Sequence, residues 1–354
     1  MSAASTPARA AVDWDLAVKR ARSLVRSGPR TDRAEAALLV ESLRSGAVRA
    51  PEFVGEVTQL PEAAEQAGQR PVHVIDRPRW IEGNVAMFAH LLGDLLPAPK
   101  SAGGPRLAGE ELGVVLPLLA SRVLGQYDPY TPAPQGPGRL VLVAPNVLHV
   151  QRELGLDGPD FHLWVCLHEQ THALQFTAAP WLAEHLQGLL RQLMGTLLRE
   201  EDSGDRLRDL LGALPRAITG ETKEPDSAGP LLGAVLSEQE QDLMDQTVAI
   251  MSLLEGHADV VMDEVGPQVV PSVATIRSAF DRRRANPGPM EAVLRRLLGM
   301  DAKLAQYRQG AAFVRAVTQQ VGHAGLNAVW AQAVNLPTEA EITDPAAWVQ
   351  RVHG

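Results

Sequence analysis

His168, Glu169 and His172 form the pattern H-E-x-x-H within the apolar segment VCLHEQTHALQF, residues 165–176. Positions four apart on a helix share one face, so both imidazoles can bind a single ion. Neutral imidazole is a preferred zinc ligand, and a glutamate beside the two histidines can take a proton from a metal-bound water. The pattern therefore predicts a zinc site with His168 and His172 as ligands and Glu169 as general base.

A catalytic zinc ion needs a third protein ligand, for which the later sequence offers several candidates. The metzincin continuation H-x-x-G-x-x-H is excluded, because Gln175 and Ala178 stand where it requires glycine and histidine. His185 follows a turn at Pro180 and could reach the site, although a solvated or structural role fits it better.

The segment EGHAD, residues 255–259, contains the favoured third ligand. Glu255 and Asp259 project from one helical face among apolar neighbours, where a carboxylate needs a partner. This arrangement resembles that of gluzincins, in which a glutamate on a later helix binds zinc and an aspartate four residues on hydrogen-bonds a ligand histidine. We therefore predict Glu255 as a ligand and Asp259 as that aspartate. His257 projects elsewhere and competes with Glu255; as a fourth ligand, either it or His185 would indicate a structural site.

Longer stretches of the chain are similar to a known family. HEQTHALQF, EGHADVVMD, KLAQYRQGAAFV and NLPTEAEITDPAAW together resemble the zincin-like metallopeptidase type 2 family, actinobacterial proteins labelled as associated with biosynthesis of the deazaflavin coenzyme F-420. The resemblance covers nearly the whole chain and implies a cytoplasmic, largely helical zincin-like fold. It also implies a metal site at His168, His172 and Glu255 with Glu169 as base. The coenzyme label reflects co-occurrence across genomes, and no glycine-rich phosphate loop is visible.

Gluzincins usually supply a tyrosine or histidine that stabilises the oxyanion of the tetrahedral intermediate. The chain has the tyrosines Tyr127, Tyr130 and Tyr307, of which Tyr307 is the first choice because it follows the EGHAD helix. A core tyrosine with a satisfied hydroxyl is the alternative for Tyr307, and His185 and His323 are weaker candidates.

Together these residues favour a zinc-dependent hydrolase of a peptide or amide bond, in which water activated by zinc and Glu169 attacks the carbonyl. One alternative is a binding or regulatory protein that keeps the scaffold without turnover. Another is a hydrolase of a small metabolite linked to deazaflavin coenzyme metabolism. No motif identifies the substrate or the oligomeric state.

The composition argues against several classes of partner and location. A net charge of −9 disfavours nucleic acid and anionic membrane surfaces. Cys166 is the only cysteine, so an intramolecular disulfide is excluded, and we expect it to be a buried small residue. No signal peptide is readable, and no apolar run approaches the roughly 18 residues that span a bilayer. We expect a soluble cytoplasmic protein whose partner is a peptide or small-molecule substrate.

Hydrophobic periodicity predicts a mainly helical protein with a small β-sheet. A strand or an extended link is expected at residues 71–76 and a strand at residues 139–145. The proline- and glycine-rich residues 125–138 are expected to lie outside regular structure.

Local signals predict several helix boundaries. Helices are expected at about residues 31–47 and 53–66. Asp160 is predicted to be the N-cap of the H-E-x-x-H helix, and Ser237 with Glu240 to form a capping box before the EGHAD helix.

A single zincin-like domain is predicted over residues 13–354, after a disordered tail at residues 1–12. Within it, we expect a helical N-terminal part at about 13–124 and a metal-site part at about 139–322. No linker is long enough to require a second domain.

Overall fold

The computed structural model describes most of the chain, and most of the predicted tail at residues 1–12 lies outside that part. The described residues are 11–93, 95–96, 101, 103–132, 137–197, 237–285 and 300–354, excluding the side chains of residues 197, 284–285 and 300–308.

The described elements are mainly helices. The first half of the chain contains α1 (Trp14–Leu24), α2 (Arg33–Thr58), α3 (Pro61–Gly68), β1 (Val72–Ile75), α4 (Arg77–Leu92), α5 (Gly104–Ala120), β2 (Gly125–Asp128), β3 (Arg139–Val143) and α6 (Ala144–Leu154). The second half contains α7 (Gly158–Ala178), α8 (Leu182–Leu197), α9 (Glu238–Glu264), α10 (Val273–Ala285), α11 (Met300–Leu326), two short 3₁₀ turns (Asn327–Trp330 and Ala333–Asn335), α12 (Glu339–Thr343) and α13 (Pro345–His353). None of these helices is long and apolar enough to cross a membrane.

The three strands form one sheet in the order β1-β3-β2, which confirms the predicted class of a mainly helical fold with a small sheet. β1 pairs with β3 in parallel and β2 pairs with β3 antiparallel. The prediction for residues 125–138 was wrong at its start, because β2 occupies Gly125–Asp128. Strand pairing is a long-range interaction, and the prolines of this segment follow the strand rather than interrupt it.

The backbone divides into two compact units, and the predicted single domain over residues 13–354 stays a prediction. In the first unit, α1 packs on α4 and α5. The second contains the sheet, α7 and α9. Their ranges are Met1–Ser27, Arg77–Arg122 and Leu190–Glu224 for the first unit, and Gly28–Asp76, Val123–Leu189 and Pro225–Gly354 for the second.

α7 is the central helix of the second unit and is buried on most of its surface, packing on α2, α3, α9 and β2. Its N-cap is Asp157, whose carboxylate accepts a hydrogen bond from the Asp160 backbone N–H at 3.1 Å. The predicted cap at Asp160 was therefore wrong by one turn; the Asp160 carboxylate instead accepts from the Ser272 backbone N–H at 2.7 Å.

α2 is one continuous helix where two were predicted. Pro51 lies inside it and removes one backbone donor, which ordinarily ends a helix. Pro51 is buried, and a Cβ added to Gly68 at the end of α3 would lie 3.0 Å from its ring. Burial of the proline against α3 accounts for its retention within the helix.

α2 and α7 approach closely at the only cysteine. The Cys166 thiol is fully buried, and its Sγ lies 3.4 Å from the Leu43 carbonyl oxygen. A Cβ added to Gly46 would lie 3.1 Å from that sulfur. Burial raises the pKa of the thiol, so Cys166 is a packing residue.

α9 begins with the predicted capping box of Ser237 and Glu240, which the structure confirms. It packs on α11 at two glycines, because a Cβ on Gly256 would overlap the backbone of Gly310 and one on Gly310 would overlap Ser252. Gly256 is adjacent to Glu255, so this helix crossing fixes the backbone that carries the predicted third ligand.

Candidate metal centre

α7 and α9 bring His168, His172 and Glu255 together. The two Nε2 atoms lie 3.1 Å apart, and each lies 3.5 Å from one carboxylate oxygen of Glu255. Among the described residues, these three form the group of histidine, cysteine and carboxylate side chains whose donor atoms could hold a metal ion.

The separations between these donor atoms suit a zinc ion. Two donors each about 2.0–2.1 Å from a tetrahedral zinc ion lie about 3.3–3.4 Å from each other. The three observed distances, 3.1, 3.5 and 3.5 Å, are close to that value. Two histidine nitrogens and one carboxylate oxygen are also a ligand set of catalytic zinc sites, which keep one further position open.

Burial also prepares His168 to bind a metal. Desolvation, with a contribution from neighbouring His172, lowers the pKa of His168 to about 4, although Glu255 and Asp259 oppose the shift. The imidazole is therefore neutral at neutral pH, which is the form that binds a metal ion.

Glu169 lies beside the donor group with only 5% of its surface exposed. Burial, and to a smaller extent the negative charge of Glu255, raises the pKa of its carboxyl well above the usual range. β2 packs directly on this carboxyl, because a Cβ added to Gly125 would lie 2.7 Å from Glu169 Oε1. Glycine at position 125 is thus what allows the strand to approach Glu169.

Gln175 is a site residue whose role the sequence analysis missed. Its Oε1 lies 2.9 Å from His172 Nδ1, on the side of the ring away from the donor group. Its Nε2 donates to the Leu254 carbonyl oxygen at 2.9 Å. The spacing of His172 and Gln175 contains this signal, since positions three apart on a helix are neighbours. In the sequence analysis, Gln175 was used only to exclude the metzincin pattern.

Asp259 lies on the expected face of α9, but its hydrogen bonds run to an arginine from α10. Its carboxylate accepts from Arg277 Nη1 at 3.1 Å, and its backbone carbonyl oxygen accepts from Nη2 at 2.6 Å. Arg277 also pairs with Asp263 and lies over the ring of Trp164 on α7. None of the hydrogen bonds within the described part of the chain joins Asp259 to a ligand histidine, and its predicted role stays a prediction.

The alternative histidine ligands lie apart from the donor group. His257 is fully buried on α9 with its ring 5.3 Å from that of Trp330, and burial lowers its pKa to about 3. His185 packs edge-on against Trp181 at 5.8 Å.

The candidates for the oxyanion donor were three tyrosines and two histidines. The Tyr307 backbone lies in α11, but its side chain lies outside the described part of the structure. Tyr130 Oη lies 3.4 Å from the Ala183 carbonyl oxygen, and Tyr127 packs on Phe176. His323 pairs with Glu264 at 2.7 Å. The role of Tyr307 stays a prediction.

Two histidines and a glutamate on one helix, with a second glutamate facing them from another helix, define a zincin-type metal site. The chain belongs to the zincin-like metallopeptidase family, whose profile matches residues 12–349. Membership of this family implies zinc, which His168, His172 and Glu255 would hold.

A solved structure is similar over almost its whole length. It is the crystal structure of a protein from Chloroflexus aurantiacus, described as a "putative hydrolase with a novel fold". The sequence identity is 29%, the alignment covers 96% of this chain and 98% of the other, and the TM-score is 0.65. A comparison with curated proteins gives no match.

Proposed function

We propose that the protein is a zinc-dependent metallopeptidase that hydrolyses a peptide or amide bond. The observation that carries the proposal is the triangle of donor atoms from His168, His172 and Glu255, with 3.1–3.5 Å sides, beside the buried carboxyl of Glu169. A purely structural zinc site has no use for an adjacent base, and it would have four protein ligands. Family membership supports the same activity.

Each residue of the site has a distinct chemical task. A bound zinc ion would supply an acidified water and would polarise the substrate carbonyl. His168, His172 and Glu255 would hold the ion. Glu169 would accept the proton of the attacking water on its carboxylate, and its raised pKa would let it keep that proton until the leaving amine takes it. Gly125 leaves space for the Glu169 carboxyl against β2.

The position of β2 favours a peptide over a small metabolite as the substrate. β2 is one of the two outer strands of the described sheet, and it is the one that lies against Glu169. An extended peptide that adds to an outer strand is held by main-chain hydrogen bonds. Such pairing would lay the substrate backbone along the strand that packs on the proposed general base.

Several finer proposals rest on the sequence alone. The actinobacterial origin, the link to coenzyme F-420 and the cytoplasmic location come from the family resemblance. The proposal that neither nucleic acid nor a membrane is a partner rests on the net charge of −9.

Metal analysis with a cleavage assay tests the proposed function. We expect about one zinc ion per chain in the wild type and much weaker binding in Glu255→Ala. In a peptide-library assay, Glu169→Gln should retain zinc and cleave about 10²–10⁴-fold more slowly than the wild type, which is the range that general-base catalysis contributes.

Other outcomes would select an alternative. If metal analysis finds no zinc in the wild type, the proposed metal site is contradicted. Zinc binding without cleavage of any peptide would favour the binding or regulatory protein. Equal cleavage by the wild type and Glu169→Gln would exclude Glu169 as the base.

A further inference from the structure

The orientation of the Gln175 side chain is fixed by its hydrogen bonds. Gln175 is fully buried. One end of its amide lies 2.9 Å from the Leu254 carbonyl oxygen, which can only accept, so that end must be the NH₂ group. The other end is then the amide oxygen, 2.9 Å from His172 Nδ1.

This orientation determines which nitrogen of His172 carries the proton. An amide oxygen only accepts hydrogen bonds, so Nδ1 of His172 must donate to it. In the neutral ring, Nε2 then has a free lone pair. That atom faces His168 Nε2 at 3.1 Å and Glu255 Oε1 at 3.5 Å, so the lone pair points into the donor group.

The same amide contacts α9 on both sides of the third ligand. Besides the Leu254 carbonyl oxygen, the Gln175 NH₂ group lies 3.1 Å from His257 Nδ1, which accepts from it. Leu254 and His257 flank Glu255 in the sequence. One side chain of α7 therefore holds His172 and the α9 backbone next to Glu255 at the same time.

We propose that Gln175 is the positioning residue of the metal centre: it holds His172 in the Nδ1-protonated tautomer and keeps α9 in register with α7. This inference rests on the proposed zinc site. Groups that hydrogen-bond the far nitrogen of a ligand histidine fix the ring and its tautomer, and their loss typically weakens metal binding about 10–100-fold. A carboxylate often does this in zinc sites, whereas here an amide does so.

The chain contains a matched control on the same helix. Gln170 is 2% exposed, and its NH₂ group donates to the Ala47 carbonyl oxygen of α2 at 2.9 Å, away from His172. Gln170→Met and Gln175→Met remove the same chemical group from α7. Gln175→Glu keeps an acceptor for His172 Nδ1 while it removes the donor to α9.

The first measurement is zinc affinity, by competition with a chromophoric chelator, for the wild type and the three variants. We expect Gln175→Met to bind zinc 10–100-fold more weakly, Gln170→Met to bind within about threefold of the wild type, and Gln175→Glu to bind within about tenfold. Equal losses in the two methionine variants would show that Gln175 only stabilises the helix. Unchanged affinity in Gln175→Met would overturn the inference while leaving the zinc site intact.

The second measurement requires neither zinc nor a variant. Long-range ¹H–¹⁵N correlation spectra of metal-free wild type, recorded at a pH at which the His172 ring is neutral, should show it protonated at Nδ1 and bare at Nε2. The opposite tautomer would overturn the inference even if Gln175→Met fails to fold. If the wild type shows the expected tautomer but binds no zinc, the proposed function fails and the metal-positioning role fails with it, while the hydrogen bonds of Gln175 to His172 and α9 stand.

Discussion

His162 and His172 lie on the same helix, and their surroundings differ in one decisive respect. Protein groups satisfy both ring nitrogens of His162: Nδ1 lies 2.8 Å from Ser42 Oγ and Nε2 lies 3.0 Å from Gln151 Oε1. At His172, Gln175 occupies only Nδ1, and Nε2 faces two other potential ligands.

The difference shows what separates a structural histidine from a metal ligand on one helix. Burial is common to both residues, since His162 is 6% exposed and the His172 side chain 14%. The distinguishing property is that one ring nitrogen faces other potential metal ligands, while the other nitrogen of the same ring is hydrogen-bonded to a protein group. His162 thus ties α7 to α2 and α6, whereas His172 faces α9.

Replacement of each histidine by alanine should give the largest difference in zinc affinity between the two positions. We expect His172→Ala to bind zinc more than about 100-fold more weakly, because loss of a ligand should exceed the 10–100-fold cost of losing an outer partner. His162→Ala should stay within about threefold of the wild type. Chelator competition measures both, and a comparable loss in His162→Ala would show that the two ends of α7 are not independent.

A change on α9 should affect the His172 end alone. A Cβ in Gly256→Ala would overlap the Gly310 backbone, and overpacking of this kind costs about 1–3 kcal/mol. We expect urea denaturation to show that loss together with weaker zinc binding.

Gly188→Ala provides the control for that change. Gly188 lies in α8, and no atom of the described residues outside its own stretch of helix lies within 4 Å of an added Cβ, so alanine should stabilise the helix by roughly 0.5–1 kcal/mol. Unchanged zinc affinity in Gly256→Ala would mean that the α9 crossing does not position Glu255.

The lowered pKa of His162 should appear in the pH dependence of the free energy of unfolding. Burial lowers the pKa of His162 to about 4 from its usual 6.5, so the unfolded chain binds a proton that the folded chain excludes. Stability from this group is complete above about pH 6.5 and is lost as the pH falls toward 4, by about 2 kcal/mol between pH 7 and pH 5.

Urea denaturation of the wild type and His162→Asn at pH 7 and pH 5 measures that contribution. The variant should lose about 2 kcal/mol less over this interval, because it lacks the titrating ring. An identical loss in both proteins would mean that folding leaves the pKa of His162 unchanged.

Replacement of Asp259 should have the smallest effect on zinc. Asp259 accepts from Arg277, so we expect Asp259→Asn to change zinc affinity by less than about threefold, below the range for a group that holds a ligand histidine. Loss of the ion pair, with side chains 18% and 27% exposed, should cost roughly 1 kcal/mol in the free energy of unfolding. A 10–100-fold loss of zinc affinity would instead give Asp259 the role that the gluzincin pattern predicts.

The sequence was sufficient for the parts of the site that depend on one helix. The spacing of His168 and His172 within α7 follows from helix geometry alone. The Ser237 capping box was equally local, and it correctly marked where α9 begins. Glu255 required a further comparison with gluzincins, because its approach to α7 is a tertiary contact.

The parts that the sequence could not supply depend on how separate elements meet. The spacing of Gln175 from His172 was visible, but its contact with the Leu254 carbonyl oxygen exists only once α9 packs on α7. Arg277 reaches Asp259 from a third helix, which no spacing rule predicts. β2 was missed because its pairing with β3 spans a loop rich in proline and glycine.

The burial of Cys166 makes the protein well suited to site-specific labelling. The chain has no other cysteine, and this thiol is inaccessible and a poor nucleophile in the folded state. A cysteine introduced at exposed Gln239, near the start of α9, would therefore be the one position that a maleimide dye modifies under native conditions. Such a dye would show whether zinc binding moves the start of α9 while the native cysteine stays in place.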